Sequence, residues 1–486
     1  MNRNDKLINS VKLFNEIISQ SISCTEPAAI GLAVATAFNA IEGRLPPNYE
    51  ENKLNLSPEK IRNKIEKITV TMDKNIFKNA SFVGLPFGLA GIKDAITLGL
   101  FCDPAKKLEI FQDVNEVKIE QAQCLLDEGK VEININYEWD KMQIEAEVKT
   151  GNSIALSRIT NEHANISYIE VNGIPVFKKP DTVHEVSKFL YLQKLEELIE
   201  IAEKDLFTER NGVSAKTRIE ESIITNHRAS LIAEEEFTKY NNNNTSLGIK
   251  DLVNKKYLSQ SYTNLAEEKV SMAVEGRMSG LNIKVMTCGG SGNMGLMVTL
   301  PIIVIAYLEL KKQYKEYDIS YDSVIDFMRE KTPVNWVKLV KAVGLAHLVT
   351  NYISFGESPL SASCGCGSKA GVGVAAGIAY YLAPEDKESK RIMITNAINN
   401  ISCSIVGMIC DGAKKGCALK VAVAAEVAVR SALLAFLGIG PSRSEGIVDE
   451  NPLITLRNIS EISREMRTTD KKIVSISYNS SINYRR

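Results

Sequence analysis

From Tyr257 onward the chain is rich in Ala, Gly and Val at helical spacing, and its most apolar run, Leu296 to Leu308, stops at Glu309. That run falls short of the roughly 18 residues that cross a bilayer, so it reads as a helix buried on all sides by other helices. The C-terminal portion must therefore pack its helices closely. Earlier in the chain, Ile68-Thr69-Val70-Thr71-Met72 alternates as a strand does, and so do Val131 to Tyr137 and Ile166 to Val171, with turns at Gly151 and Gly173. The fold class is α+β: a mainly helical Gly/Ala-rich C-terminal domain, an N-terminal helical segment and a small β-sheet domain. We place the N-terminal helices in 1–60, the sheet domain in 61–185, a charged helical segment in 186–270 and the helical domain in 271–486.

Apolar positions recur at helical spacing from about Asp5 to Phe38 and break at Ser23-Cys24-Thr25-Glu26-Pro27. Thr25 reads as an N-cap and Pro27 suits a first helical turn, which sets Cys24 at the N-terminus of a second helix.

Charge removes several functions. With 58 Lys and Arg against 59 Asp and Glu, the net charge is -1, so no polycationic surface for nucleic acid or anionic lipid arises. Apolar residues at 44% and charged residues at 24% fit a globular protein, neither disordered nor a membrane bundle. Met1 to Lys12 lacks the apolar run of a secretory signal, and a cytoplasmic protein is expected. A homo-oligomer is compatible with the sequence, which carries no signal on assembly.

Nine cysteines in such a compartment point to thiol chemistry or metal binding before disulfides. Cys364-Gly365-Cys366-Gly367 and the stretch from Cys410 to Cys417 embed thiols among glycines, whose backbone amides can approach an anionic sulfur cluster. Gly412 and Gly416 interrupt a helix that a packing role would keep continuous, whereas Cys403 suits a core position. Closed zinc sites favour compact C-x2-C pairs, and none occurs here.

A second feature is Thr287-Cys288-Gly289-Gly290-Ser291-Gly292-Asn293-Met294-Gly295, between a strand-like segment and a helix. Its G-x-G-x-x-G lacks the following strand and acidic residue of a dinucleotide fold. A glycine loop opening a helix still offers backbone N–H groups to a carboxylate or phosphate, and a tight packed turn is the competing reading. Lys369 among small residues could form a Schiff base with pyridoxal phosphate, but no partner for the pyridine nitrogen is identifiable. His163, His184, His227 and His347 show no metal-ligand spacing and read as structural.

Together Ser23 to Pro27, Gly84-Leu85-Pro86, the Thr287 to Gly295 loop, Cys364 to Gly367 and Gly407 to Lys414 resemble the L-cysteine desulfidase family, relatives of the iron-sulfur L-serine dehydratases. The resemblance spans nearly the whole chain. It implies an oxygen-sensitive [4Fe-4S] cluster held by three cysteines, here Cys410 and Cys417 with Cys364, or Cys366 in its place. It gives Cys24 the part of proton acceptor or fourth ligand, and a helix N-terminus would lower its pKa. Ser291, Gly292 and Asn293 would hold the carboxylate of a small amino-acid substrate through backbone amides. Some iron-sulfur serine dehydratases end in a cysteine that fills the open iron; this chain ends Ile482 to Arg486 without one, which leaves that position to Cys24, water or substrate. The implied reaction is α,β-elimination from L-cysteine, giving hydrogen sulfide, ammonia and pyruvate, with L-serine as the alternative substrate.

Overall fold

Buried apolar side chains gather into two clusters. One joins helix Thr25–Ile41, from Ala28 on, to the sheet and to helix Gly91–Gly99; the other joins helix Arg3–Ile17 and Cys24 to the helices that follow residue 185. The computed structural model describes residues 3–22, 24–50, 54–179, 185–209, 214–240, 244–356, 362–441 and 445–483. Ser23 of the N-terminal motif and the last three residues lie outside these.

The sheet has six strands, in the order Val131–Asn136, Ile65–Asp73, Gln143–Thr150, Ser153–Thr160, Ile166–Val171, Ile174–Lys178. The first pair is parallel, with Ile68 opposite Val131, and the remaining pairs are antiparallel. Alternation does what the sequence implies: Ile144, Ala146 and Val148 are buried while their neighbours are less so. The buried face packs on helix Thr25–Ile41, whose small residues let strands approach, and Ser157 Oγ donates to the Ala33 carbonyl at 2.6 Å.

A two-stranded antiparallel sheet pairs Gln20–Ile22 with Lys284–Met286, Gln20 opposite Met286. Beyond it the Thr287 N–H donates to Ser19 O and the Gly289 N–H to Ile17 O. This pairing carries the start of helix Thr25–Ile41 to the glycine loop. The charged segment supplies a splint there: buried Asn226, on helix Ala215–Lys239, accepts from the Met286 N–H and donates to the carbonyls of Met286 and Gly295.

Helix Gly292–Gln313 is long and apolar enough to cross a membrane by length and composition, yet it is buried from Gly292 through Tyr307 within the protein. It is the central helix expected from the Leu296 to Leu308 run. The Gly84-Leu85-Pro86 motif also has a structural task. The Gly84 N–H donates to Met278 O at 2.9 Å, and a Cβ at Gly84 would lie 2.4 Å from the backbone of Ser279. Only glycine permits this crossing, which pins the end of helix Tyr262–Met278.

Lys78, on helix Lys74–Ala80, pairs with Asp470 on helix Arg467–Asn483 at 2.7 Å, both side chains almost wholly buried. Removing one partner strands a buried charge, which typically costs about 3–5 kcal/mol. Lys78→Met is therefore expected to lower the urea-unfolding free energy by that amount, and Lys78→Met with Asp470→Leu to recover most of it. A single variant within 1 kcal/mol of the parent would show that water reaches the pair.

Candidate active site

Cys24, and not Thr25 as expected, is the N-cap of helix Thr25–Ile41, which starts one residue early and keeps Cys24 at its N-terminus; the Cys24 carbonyl accepts from the Ala28 N–H. Its thiol is not activated by that position. Burial pushes its pKa well above the ordinary value, and the neighbouring Glu26 carboxylate pushes it further; Arg277 opposes both without prevailing. Cys24 Sγ donates to Glu26 Oε2 at 3.0 Å, and Thr25 Oγ1 donates to the same oxygen. The expected lowering by the helix terminus is thus outweighed by desolvation and a like-signed neighbour. In the resting protein Cys24 is a thiol.

Burial would raise the Glu26 carboxyl too, but His163 in its charged form, the Cys24 hydrogen bond and Arg277 draw it below its usual value. Glu26 is ionised. Its other oxygen accepts from Asn79 Nδ2 at 3.0 Å, and Asn79 Oδ1 lies 3.8 Å from Cys410 Sγ. One continuous polar chain therefore runs from Cys24 through Glu26 and Asn79 to Cys410. His163, in the turn between strands Ser153–Thr160 and Ile166–Val171, stands with Nε2 3.9 Å from Glu26 Oε1 and no hydrogen-bond partner on that atom. Burial lowers its pKa, so its ring is neutral near pH 7.

The cysteine segments meet by backbone pairing. Cys364 N–H donates to Met408 O and Cys410 N–H to Ala362 O, each at 2.7 Å, around an isolated bridge between Ser363 and Ile409. Cys366 opens a single π-helical turn, Cys366–Gly371, and Cys417 opens helix Cys417–Phe436. A hydrogen bond from the Cys366 thiol draws Cys364 below its ordinary value and pushes Cys366 up. Burial raises Cys410 and Cys417, and Cys364 bears on the charge of both. Lys420 stands beside this group, paired with Asp411, and its own pKa is raised against burial by Asp411, Cys364 and Cys410. None of the four is in a disulfide.

Among the described residues no three His, Cys, Asp or Glu side chains converge as a single ion requires. Four thiols that share one electrostatic neighbourhood, near a lysine, are the donor chemistry of an iron-sulfur cluster, whose corner irons take separated thiolates. The residues present fit such a group. Cys403 does not join them: it is exposed on helix Lys387–Ile405 and feels Glu445 rather than the other thiols. The expectation of a core position for Cys403 fails because its helix turns that face outward.

In the glycine loop, Ser291 caps helix Gly292–Gln313, its Oγ accepting from the Met294 N–H. The Ser291 N–H already donates to Cys288 O, so it is no free donor for a substrate. Gly292 and Asn293 supply first-turn amides that precede any intrahelical bond. Cys288 is buried, accepts from Asn351 Nδ2, and is pushed up to about 12 by burial. Lys369 is buried in the π-helical turn, its stem beside Gly365. Asn79 and Arg277, which sequence reasoning passed over, and His163, which it read as structural, all border Glu26 or Cys24.

Fold and site define an α+β protein with a thiol-rich centre set in and against the helical apolar core. The chain belongs to the serine dehydratase alpha chain family, whose profile matches residues 105–475, and its function is of the lyase type found there. Similar along nearly their whole length are UPF0597 proteins of Desulfotalea psychrophila and Clostridium tetani. The first is 30% identical over 486 residues, covering 96% of this chain and 98% of the relative. The second is 30% identical over 481 residues, covering 98% and 99%. A UPF0597 protein of Desulfatibacillum aliphaticivorans is 29% identical over 477 residues, covering 94% and 95%.

Proposed function

We propose that the protein is an iron-sulfur-dependent lyase that converts L-cysteine and water to hydrogen sulfide, ammonia and pyruvate. The observation that carries this reading is the polar chain from Cys24 through Glu26 and Asn79 to Cys410, which couples a proton-holding thiol to the thiol group. Cys364, Cys410 and Cys417 would hold a [4Fe-4S] cluster, with Cys366 the alternate to Cys364. When bound, the cluster supplies a Lewis-acidic iron that makes the substrate's sulfur a better leaving group.

The chain's own residues handle the proton and the carboxylate. Glu26 Oε2, 3.0 Å away, draws off the Cys24 Sγ proton in the same step in which Sγ takes the substrate's α-proton and the Cβ–S bond breaks, so that no free thiolate need form in the buried site. Backbone amides of Gly292 and Asn293 face the carboxylate as charge builds on it. Burial of Cys24 and Glu26 keeps water away from this transfer. The aminoacrylate released tautomerises and hydrolyses to pyruvate and ammonia.

L-serine is the second reading, because the family profile is that of a serine dehydratase. Anaerobically purified protein tests both: iron, acid-labile sulfide and broad visible absorbance are expected, with sulfide and pyruvate formed in equal amounts from L-cysteine. A kcat/KM for L-serine above that for L-cysteine reverses the substrate assignment. An aldimine absorbance band, or a colourless zinc protein, overturns the cluster reading.

A further inference from the structure

Arg277 closes helix Tyr262–Met278 with its guanidinium inside the protein, the side chain about 1% exposed. Its Nη1 donates to Asn293 Oδ1 at 2.8 Å, but Nε and Nη2 have no hydrogen-bond partner. None of the ion pairs among the described residues includes it. Leaving a buried donor unmade typically costs about 1–3 kcal/mol, and more for a charged group. Such a cost persists in a folded protein where a ligand relieves it.

The position of the orphan atoms says what that ligand is. The Nε–H and the nearer Nη2–H of a guanidinium lie parallel along one edge, the fork that meets both oxygens of a carboxylate. Gly292 packs on the face of the guanidinium, where a Cβ would stand 2.6 Å from Cζ and 2.7 Å from both Nε and Nη2, so the edge that carries the fork is left uncovered by it. Gly292 opens the 22-residue helix Gly292–Gln313, so the guanidinium and the unbonded first-turn amides share one place, with the helix dipole adding to the positive field. Arg277 also bears on the charges of Cys24, Glu26 and His163. The glycine in the loop thus makes room for a guanidinium, and the sequence-level expectation of a purely backbone carboxylate site is incomplete.

We propose that Arg277 binds the α-carboxylate of the substrate side-on through Nε–H and Nη2–H, so that the site selects free α-amino acids and rejects their amides and peptide-linked forms. This rests on the lyase reading for the identity of the substrate, and it deepens that reading by naming the group that fixes the amino acid beside Cys24.

The test uses L-alanine, which keeps the amino and carboxylate groups and lacks a leaving group, against L-alaninamide. With the cluster-loaded parent protein, calorimetry is expected to show alaninamide binding weaker by on the order of a hundredfold, the worth of a buried charged hydrogen-bonded pair. Arg277→Met should lose alanine affinity by a similar factor and lose the preference for alanine over alaninamide; Arg277→Lys should keep the preference at lower affinity. Equal binding of the two probes by the parent, or no alanine binding at millimolar concentration, overturns the proposal without any variant. So does a folded Arg277→Met protein that binds alanine as the parent does. A parent that prefers alanine but turns over neither cysteine nor serine leaves the carboxylate site standing and removes the lyase reading.

Discussion

Cys410→Ala and Cys417→Ala are each expected to give soluble protein that holds no iron and no acid-labile sulfide, and that forms no sulfide from cysteine. A [4Fe-4S] cluster with three protein thiolates has no spare ligand, so one loss leaves about two, too few to retain it. Cys403→Ala supplies the control, since Cys403 is exposed and distant from the group's electrostatics, and it should keep the parent's iron content. Cys364→Ala should behave as Cys410→Ala does, because Cys364 is fastened to the Cys410 segment by the Met408 and Ala362 backbone bonds. Cys366→Ala should then retain iron; the reverse pattern would move the third ligand to Cys366. Full iron in Cys410→Ala and Cys417→Ala refutes the ligand set. Folding is monitored by the urea transition, which in these variants should shift far less than in Lys78→Met.

Much of this site was legible along the chain and some of it was not, for a physical reason. Periodicity and punctuation are local, so the helix break at Cys24, to within one residue, the alternating strands, the buried Leu296 to Leu308 helix and the loop between Cys410 and Cys417 could all be read from neighbouring residues. Asn79 and His163 could not. Asn79 meets Glu26 across 53 residues and Cys410 across 331, and no spacing rule encodes such a meeting. His163 lies in a turn whose place depends on the packing of the sheet against helix Thr25–Ile41. Arg277 did leave a trace. It stands three residues after the helical run Val270-Ser271-Met272-Ala273-Val274 and two before Ser279-Gly280, and a charged side chain near the close of a segment buried on every side needs a partner.

Burial also reversed one local inference. A helix N-terminus stabilises a thiolate when the thiol keeps some contact with water, and at Cys24 that contact is gone. The dipole's contribution, typically about 0.3–1 kcal/mol, is smaller than the penalty of desolvation beside a carboxylate. Sequence supplied the helix terminus but could not supply the burial.

Cys24→Ser is expected to retain the cluster and to bind cysteine while losing about 10²- to 10⁴-fold in turnover, the usual share of a positioned base. The hydroxyl can accept the geometry of the thiol and donate to Glu26 as Cys24 does, but it gives up its proton to a carboxylate far less readily than a thiol. Exchange of the substrate's α-hydrogen with solvent should fall in parallel, because the same atom takes that proton. Glu26→Gln should produce a similar loss with Cys24 intact, since an amide cannot accept the Sγ proton. A fourth-ligand role predicts something else: the visible spectrum and oxygen lability of the cluster would change in Cys24→Ser before any substrate is added. The Cys24 thiol already donates to the Glu26 carboxylate at 3.0 Å, the contact a base needs to shed its proton, which favours the base. The deciding measurement is deuterium exchange at the α-carbon of cysteine by cluster-loaded Cys24→Ser protein. Exchange at the parent's rate would transfer the base role to another group, and of the described residues Glu26, ionised and in contact with Cys24, is the one placed to take it.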